Sequence, residues 1–146
     1  MGSTCIFCNI VAKQSPADVK FENEEIIIFK DISPVATHHY LSIPKNHIDN
    51  IKSLNTVYHE ELLQRLIDEG KRVIVEQDGD LTDSLLGFHL PPFNTVGHLH
   101  LHLISPASSL SFKHRMMFKP NSYWFATADQ IQERLHNLVE STKANV

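Results

Sequence analysis

Residues 98–104 read His98-Leu99-His100-Leu101-His102-Leu103-Ile104, and this alternation decides the fold class. Successive side chains of a strand leave on opposite faces, so the three imidazoles project together while the leucines enter an apolar side. On a helix the same residues would scatter around the axis. The pattern predicts a strand over residues 98–105 with a row of histidines on one face. Such a row admits three readings: a solvent-facing polar edge, a metal site, or nucleophilic and acid–base chemistry.

The flanking sequence builds a sheet around this strand. Residues 84–90 form a second strand, joined to the first through Pro91-Pro92, a pair that stiffens the connecting loop. Tyr40–Ile43 is a strand stopped by Pro44, and Val19–Phe21 with Glu25–Phe29 makes a hairpin around Asn23-Glu24. Between them, Thr56–Glu76 carries Leu62, Leu63, Leu66, Ile67, Val73 and Ile74 on one helical stripe. A carboxy-terminal helix aligns Ile131, Leu135, Leu138 and Val139 and opens with Thr127 and Gln130 in capping-box spacing. Residues 5–14 are read as a short helix and 106–122 as irregular. The expected class is α+β: one antiparallel sheet of about five strands with one long and one carboxy-terminal helix.

Composition narrows the field. A chain of 146 residues suits a single domain spanning 1–146. Its formal net charge of −4 argues against an extended nucleic-acid surface. No apolar run reaches a membrane span and no signal-peptide pattern opens the chain, so a soluble protein of a reducing compartment is expected. With only five glycines and no Walker loop, phosphate binding through a glycine-rich cradle is excluded. Cys5-Ile-Phe-Cys8 fits a redox dithiol, two buried thiols, or half of a zinc site that takes two histidines. Asp31 is either a turn residue before Ser33-Pro34 or a binding carboxylate at the end of the sheet. Lys113, His114, Arg115 and Lys119, interleaved with Phe112, Phe118, Tyr123 and Trp124, read as a folded-back surface loop or as a contact for a leaving group or nucleic-acid end.

The triad segment resembles the His-x-His-x-His-x-x signature of the histidine triad family of nucleotide hydrolases and transferases. Phe29-Lys-Asp31-Ile32-Ser-Pro34, Thr37-His38-His39-Tyr-Leu-Ser-Ile-Pro44-Lys-Asn-His47-Ile, Gly87-Phe-His89-Leu-Pro91-Pro92-Phe93 and Asn121-Ser-Tyr-Trp124-Phe extend the resemblance over about residues 5 to 137. The likeness is strongest to a nucleotide-binding branch and looser to aprataxin. It implies that His100 is the nucleophile toward an α-phosphorus, with His102 on the phosphate oxygens, His98 supporting the geometry and His39 hydrogen-bonded within the cluster. Asp31 would accept the ribose hydroxyls and Phe29 and Ile32 would wall the base. Phe93, Asn94 and Thr95 fall where the family's loop meets phosphate and leaving group.

From the same resemblance follow a structural zinc on Cys5, Cys8, His47 and His98, no Mg requirement, a purine nucleotide substrate and a homodimer. Cytoplasmic residence is expected, with the nucleus left open. The implied activity is hydrolysis of P–N bonds: adenosine 5′-monophosphoramide or aminoacyl-adenylate in, AMP out, through a nucleotidyl-histidine. Two other readings stand beside it, an aprataxin-like enzyme that removes AMP from DNA ends and a non-catalytic nucleotide- or partner-binding module. Other branches of the family carry an Asn and a Gly/Ser-rich stretch before the triad, or a Gln just upstream of it; this chain has His89-Leu-Pro91-Pro92 there, which argues against a dinucleoside polyphosphate hydrolase of the Gln-containing kind.

Overall fold

The computed structural model describes residues 4–144. In chain order the elements are α1 (Ile6–Val11), β1 (Val19–Glu22), β2 (Ile26–Lys30), β3 (His38–Pro44), α2 (Val57–Glu76), β4 (Leu85–His89), β5 (Leu101–Ser105), α3 (Phe112–Met117), β6 (Phe125–Thr127) and α4 (Ala128–Ala144). The strands form one antiparallel sheet in the order β1-β2-β3-β5-β4-β6. The class is the α+β expected, with six strands rather than about five.

Alternation sorts the strand residues between two layers. Ile26, Ile28, Tyr40, Phe88, Leu99, Leu101 and Leu103 join the α2 stripe and Ile131, Leu135 and Val139 of α4 in the main core. Ile27, Phe29, Leu41 and Ile43 face the other way and pack on Phe7 of α1. Because β2 is buried on both faces, Ile26–Phe29 is apolar without interruption. The helix ends follow local chemistry. Thr56 Oγ1 accepts from His59 N–H at 3.1 Å to open α2. Thr127 and Gln130 form the expected reciprocal box, with Thr127 N–H donating to Gln130 Oε1 at 2.9 Å and Gln130 N–H to Thr127 Oγ1 at 3.2 Å.

Two expectations are revised. The triad strand begins at Leu101, three residues later than read, because its ladder with β3 ends at the Ser42–Leu101 pair. Residues 98–100 run past that end, and Leu99 N–H donates instead to Ile48 C=O at 2.6 Å. Residues 106–122 are not irregular throughout, since they contain α3, capped by Ser111 Oγ accepting from His114 N–H. The sixth strand, β6, pairs Gly87 with Thr127 and His89 with Phe125. A Cβ on Gly87 would lie 2.5 Å from Ala126 C=O and from the Phe125 ring, so only glycine admits this close approach.

Candidate active site

The sheet face opposite α2 collects the histidines. His39, His98, His100 and His102 are all buried, and the leucines between the triad members lie in the main core on the other face. Pairing of Leu41 with His102 on β3–β5 and of Gly87 with His102 on β4–β5 places the third imidazole at mid-sheet. Phe7 packs its ring edge-to-face against His98, His100 and Phe29, with centroids 5.9, 5.2 and 5.5 Å away.

Backbone groups assign the tautomers of His39, His98 and His100, and His39 in turn assigns that of His102. Val35 N–H donates to His39 Nδ1 at 3.1 Å, so a neutral His39 carries its proton on Nε2. That Nε2–H lies 2.9 Å from His102 Nδ1, which therefore accepts, and the His102 proton sits on Nε2. His102 Nε2 is buried without a partner, an orphaned donor that costs about 1–3 kcal/mol unless an oxygen arrives to accept it. His100 donates Nδ1–H to His98 C=O at 2.7 Å, which leaves its Nε2 with a free lone pair. His98 donates Nε2–H to Pro44 C=O at 2.9 Å and turns Nδ1 outward toward the cysteines.

Burial holds these rings neutral. It pushes His100 below the ordinary histidine value and His102 well below it, with neighbouring imidazoles adding to the effect. His39 is pushed down to about 4 by burial, opposed by Asp31. The 3.3 Å approach of Asp31 Oδ2 to His39 Nε2 is thus not an ion pair at neutral pH. Since His39 Nδ1 is already engaged and Nε2 is protonated, the Asp31–His39–His102 group offers no free imidazole lone pair to a metal at His39.

A second cluster has the opposite polarity. Ligand atoms of Cys5, Cys8, His47 and His98 lie within 4.8 Å of one another. His98 Nδ1 is 3.3 Å from Cys5 Sγ and 3.5 Å from Cys8 Sγ, and His47 Nδ1 is 3.3 Å from Cys8 Sγ. Tetrahedral zinc with its usual bond lengths separates N and S ligands by about 3.6 Å, so this spacing fits. His47 Nε2–H donates to Asp49 Oδ1 at 2.8 Å as His98 Nε2–H does to Pro44 C=O, leaving both Nδ1 lone pairs for an ion. The N-cap geometry of α1 folds Cys5 and Cys8 together, with Cys8 N–H donating to Cys5 Sγ at 3.3 Å. Burial and Cys5 raise the Cys8 thiol above its ordinary value, so it is protonated until a cation displaces the proton.

Two clefts meet at the histidines. The larger, of ≈ 800 Å³, is lined by Phe29, Asp31, Ile32, Thr95, His100 and His102 together with Phe7 and Leu41. The other, of ≈ 560 Å³, shares Asp31, Ser33, Thr95 and His102 with it and continues under α3. Of the expected nucleotide residues, Phe93 lines this second cleft and Asn94 lines neither; Asn94 Nδ2–H donates to Val96 C=O at 3.3 Å and braces its own loop. Asp31 does serve as a turn residue, Oδ1 accepting Ser33 N–H at 2.8 Å, while its carboxylate also borders both clefts. His89 carried no expected role, yet its ring centroid is 5.1 Å from that of His102. The β4 alternation of Leu86, Phe88 and Leu90 toward the core points His89 to the histidine face, a signal the sequence already held.

Comparison with known proteins adds independent likenesses. A family model described as "Scavenger mRNA decapping enzyme C-term binding" matches residues 4–117. The chain is 45% identical over 134 residues to adenosine 5′-monophosphoramidase HINT3 of Xenopus tropicalis, covering 90% of this chain and 87% of that protein. It is 37% identical over 103 residues to the bifunctional adenosine 5′-phosphosulfate phosphorylase/adenylylsulfatase HINT4 of Arabidopsis thaliana, covering 70% of each. Among solved structures it resembles a HIT family hydrolase from Legionella pneumophila at 35% identity and TM-score 0.66, covering 70% of this chain and 92% of that one.

Proposed function

We propose that this chain, which belongs to the histidine triad family, is a nucleotide phosphoramidate hydrolase that forms a covalent nucleotidyl group on His100. The observation that carries this is the pairing of opposite tautomers on adjacent rings. His100 presents a bare Nε2 to the larger cleft, and His102 beside it holds an Nε2–H with nothing to donate to. A lone pair next to a donor matches the two demands of phosphoryl transfer, attack on phosphorus and hydrogen bonding to its oxygens.

The chemistry follows from those atoms. His100 Nε2 bonds to the α-phosphorus as the P–N bond breaks, and the amine departs with the electron pair and takes a proton from water. The adduct is an imidazolium, because Nδ1 keeps its proton on His98 C=O. A water then attacks phosphorus, AMP leaves, one proton goes to solvent and His100 is neutral again. His102 donates to the phosphoryl oxygen throughout, and His39 keeps it in that tautomer. Phe29 and Ile32 enclose the base, Asp31 uses its remaining lone pairs on the ribose hydroxyls, and Thr95 stands on the phosphate side.

Cys5, Cys8, His47 and His98 would hold a structural zinc, which supplies no chemistry to phosphorus and pins α1 to the triad. The spacing of their ligand atoms and the two outward-facing Nδ1 lone pairs support that reading. Homodimer formation and cytoplasmic residence we carry from the family resemblance, with sedimentation velocity and imaging as their checks. No helix of the described residues is long and apolar enough to cross a membrane.

The test is to quench a reaction with labelled AMP-amidate and search by mass spectrometry for the nucleotidyl group on His100. His100→Ala is expected to lose turnover while keeping the fold and AMP affinity. Unchanged hydrolysis by that variant, or a label on another residue, overturns the mechanism. Adenylated DNA run in parallel separates this activity from removal of AMP from DNA ends.

A further inference from the structure

We propose that the groove between α4 and the turn Ile51–Ser53 is a second binding site, for a small anionic amphiphile with an apolar body and one carboxylate head. The groove shares no lining residue with the two clefts at the histidines, so the proposal stands apart from the reading of the active site.

Its walls are apolar and come from separate segments. Ile131, Arg134, Leu135 and Leu138 make one face of α4 at helical spacing. Ile51, Lys52 and Leu54 come from the turn Ile51–Ser53 and the residue after it, and Leu90, Pro91 and Tyr123 complete the lining. The space is ≈ 360 Å³. That falls at the lower end of clefts that take small ligands, about 300–1,000 Å³, and suits a ligand body better than a partner helix.

The mouth of the groove is an apolar surface that the chain leaves open. Leu54, Ile131 and Leu135 are buried in the main core and form the floor. Leu138 shares the periodic stripe of α4 with Ile131, Leu135 and Val139, yet it is 46% exposed, and Tyr123 is 90% exposed. An apolar body seated on Leu135 would cover both.

Charge selects the head group. Lys52 and Arg134 stand on different segments of the lining, and neither side chain makes an ion pair or hydrogen bond among the described residues. No carboxylate lines the groove. The neighbouring flank of α4 differs, because Gln132 Nε2–H donates to Gln64 Oε1 at 2.6 Å and His136 Nδ1 lies 2.7 Å from Glu60 Oε1. Those bonds satisfy the α2 side within the chain, while the groove side keeps its cation unpaired. An arginine in the middle of an apolar helical face, with a lysine on the facing turn, can close on one carboxylate by charge-assisted hydrogen bonds. A cationic amphiphile meets like charge there, and an uncharged one leaves both cations unused.

The experiment titrates decanoate into the protein with AMP in excess to occupy the histidine clefts, read by calorimetry and methyl NMR. Saturable binding is expected, with shifts at the Leu135 and Leu138 methyls. Affinity should rise about fourfold for each methylene added from hexanoate to octanoate to decanoate. Decyltrimethylammonium should bind about tenfold or more weaker than decanoate, and the double variant Lys52→Ser, Arg134→Ser should weaken decanoate by about tenfold. Both positions are exposed, so the fold should tolerate the change. The site is overturned by an absence of saturable binding, by shifts confined to the histidine clefts, by equal binding of the two head groups, or by an affinity unmoved in the double variant. Leu135 and Leu138 shifts that follow protein concentration alone give the groove to a second copy. A helical peptide rich in Leu and Glu that binds about tenfold tighter than decanoate gives it to a protein segment. Either of these results overturns the small-ligand reading.

Discussion

His39→Ala removes a ring that no substrate atom need touch, and its effect on turnover measures how much the tautomer relay contributes. In the native cluster, Val35 N–H forces the His39 proton onto Nε2, and that proton forces the His102 proton onto its own Nε2. Without His39, the buried His102 Nδ1 loses its only donor, a desolvation cost of about 1–3 kcal/mol in stability. The ring can recover part of this by moving its proton to Nδ1 or by rotating, and either change withdraws the donor from the phosphoryl site. Removing an oxyanion donor outright costs about 10²–10³ in kcat. A supporting partner costs about 10–100-fold, so kcat should fall by that factor, about 1.4–2.7 kcal/mol, with KM nearly unchanged. His39→Gln can still donate an Nε2–H and should restore most of the loss. Single-turnover kinetics on the AMP-amidate give the rates, and long-range 1H–15N NMR of the free protein reads the His102 tautomer directly. A wild-type His102 protonated on Nδ1, or a His39→Ala rate within twofold of wild type, would refute the relay.

Stability should fall in acid. His39, His89, His100 and His102 all have folded-state values below the ordinary 6.5, so the unfolded chain takes up protons first as pH drops. Their contribution is complete above about 6.5 and is lost progressively as pH falls toward about 4, the His39 value, at up to about 1.4 kcal/mol per pH unit per histidine. Urea midpoints that stay level between pH 7 and 5 would contradict this. Zinc uptake by the purified chain should release protons from Cys8 and raise Tm, and Cys8→Ser should abolish both; calorimetry in two buffers and elemental analysis check it, and zinc-free protein from zinc-replete cells would defeat it. Gly87→Ala should destabilise by about 1–3 kcal/mol by driving a Cβ into Ala126 C=O and the Phe125 ring, read from denaturant midpoints. A neutral effect there would mean that β6 is held far less tightly than its register implies.

Much of this was legible before any coordinates, and what was not has a common cause. The leucine–histidine alternation, the α2 stripe and the Thr127–Gln130 box are local patterns, each complete within a few residues. Burial then enforced them, with Leu99, Leu101 and Leu103 all in the core. α3 and β6 escaped because six and three residues are too few for a period to show, and α3 has no buried stripe. Its large side chains stay exposed, Phe112 at 80%, so hydropathy reads the segment as surface. The Cys5–Cys8 pair was visible, but its approach to His98 spans 93 residues of sequence and only the fold supplies it.

The polarity of the site lies deeper than residue identity. Three of the four assigning hydrogen bonds use main-chain groups, Val35 N–H, His98 C=O and Pro44 C=O; any residue could offer the two carbonyls and any but proline the N–H. A histidine row names the rings, whereas the course of the chain past each ring decides which nitrogen is bare. The same sequence motif with one carbonyl turned aside would present two donors or two acceptors to phosphorus, and neither can attack and stabilise at once. The backbone course at 32–37 and 91–98 therefore sets the chemistry through Val35 N–H and His98 C=O. Asn94 lines neither cleft, and its Nδ2–H donates to Val96 C=O within the loop that leads to His98.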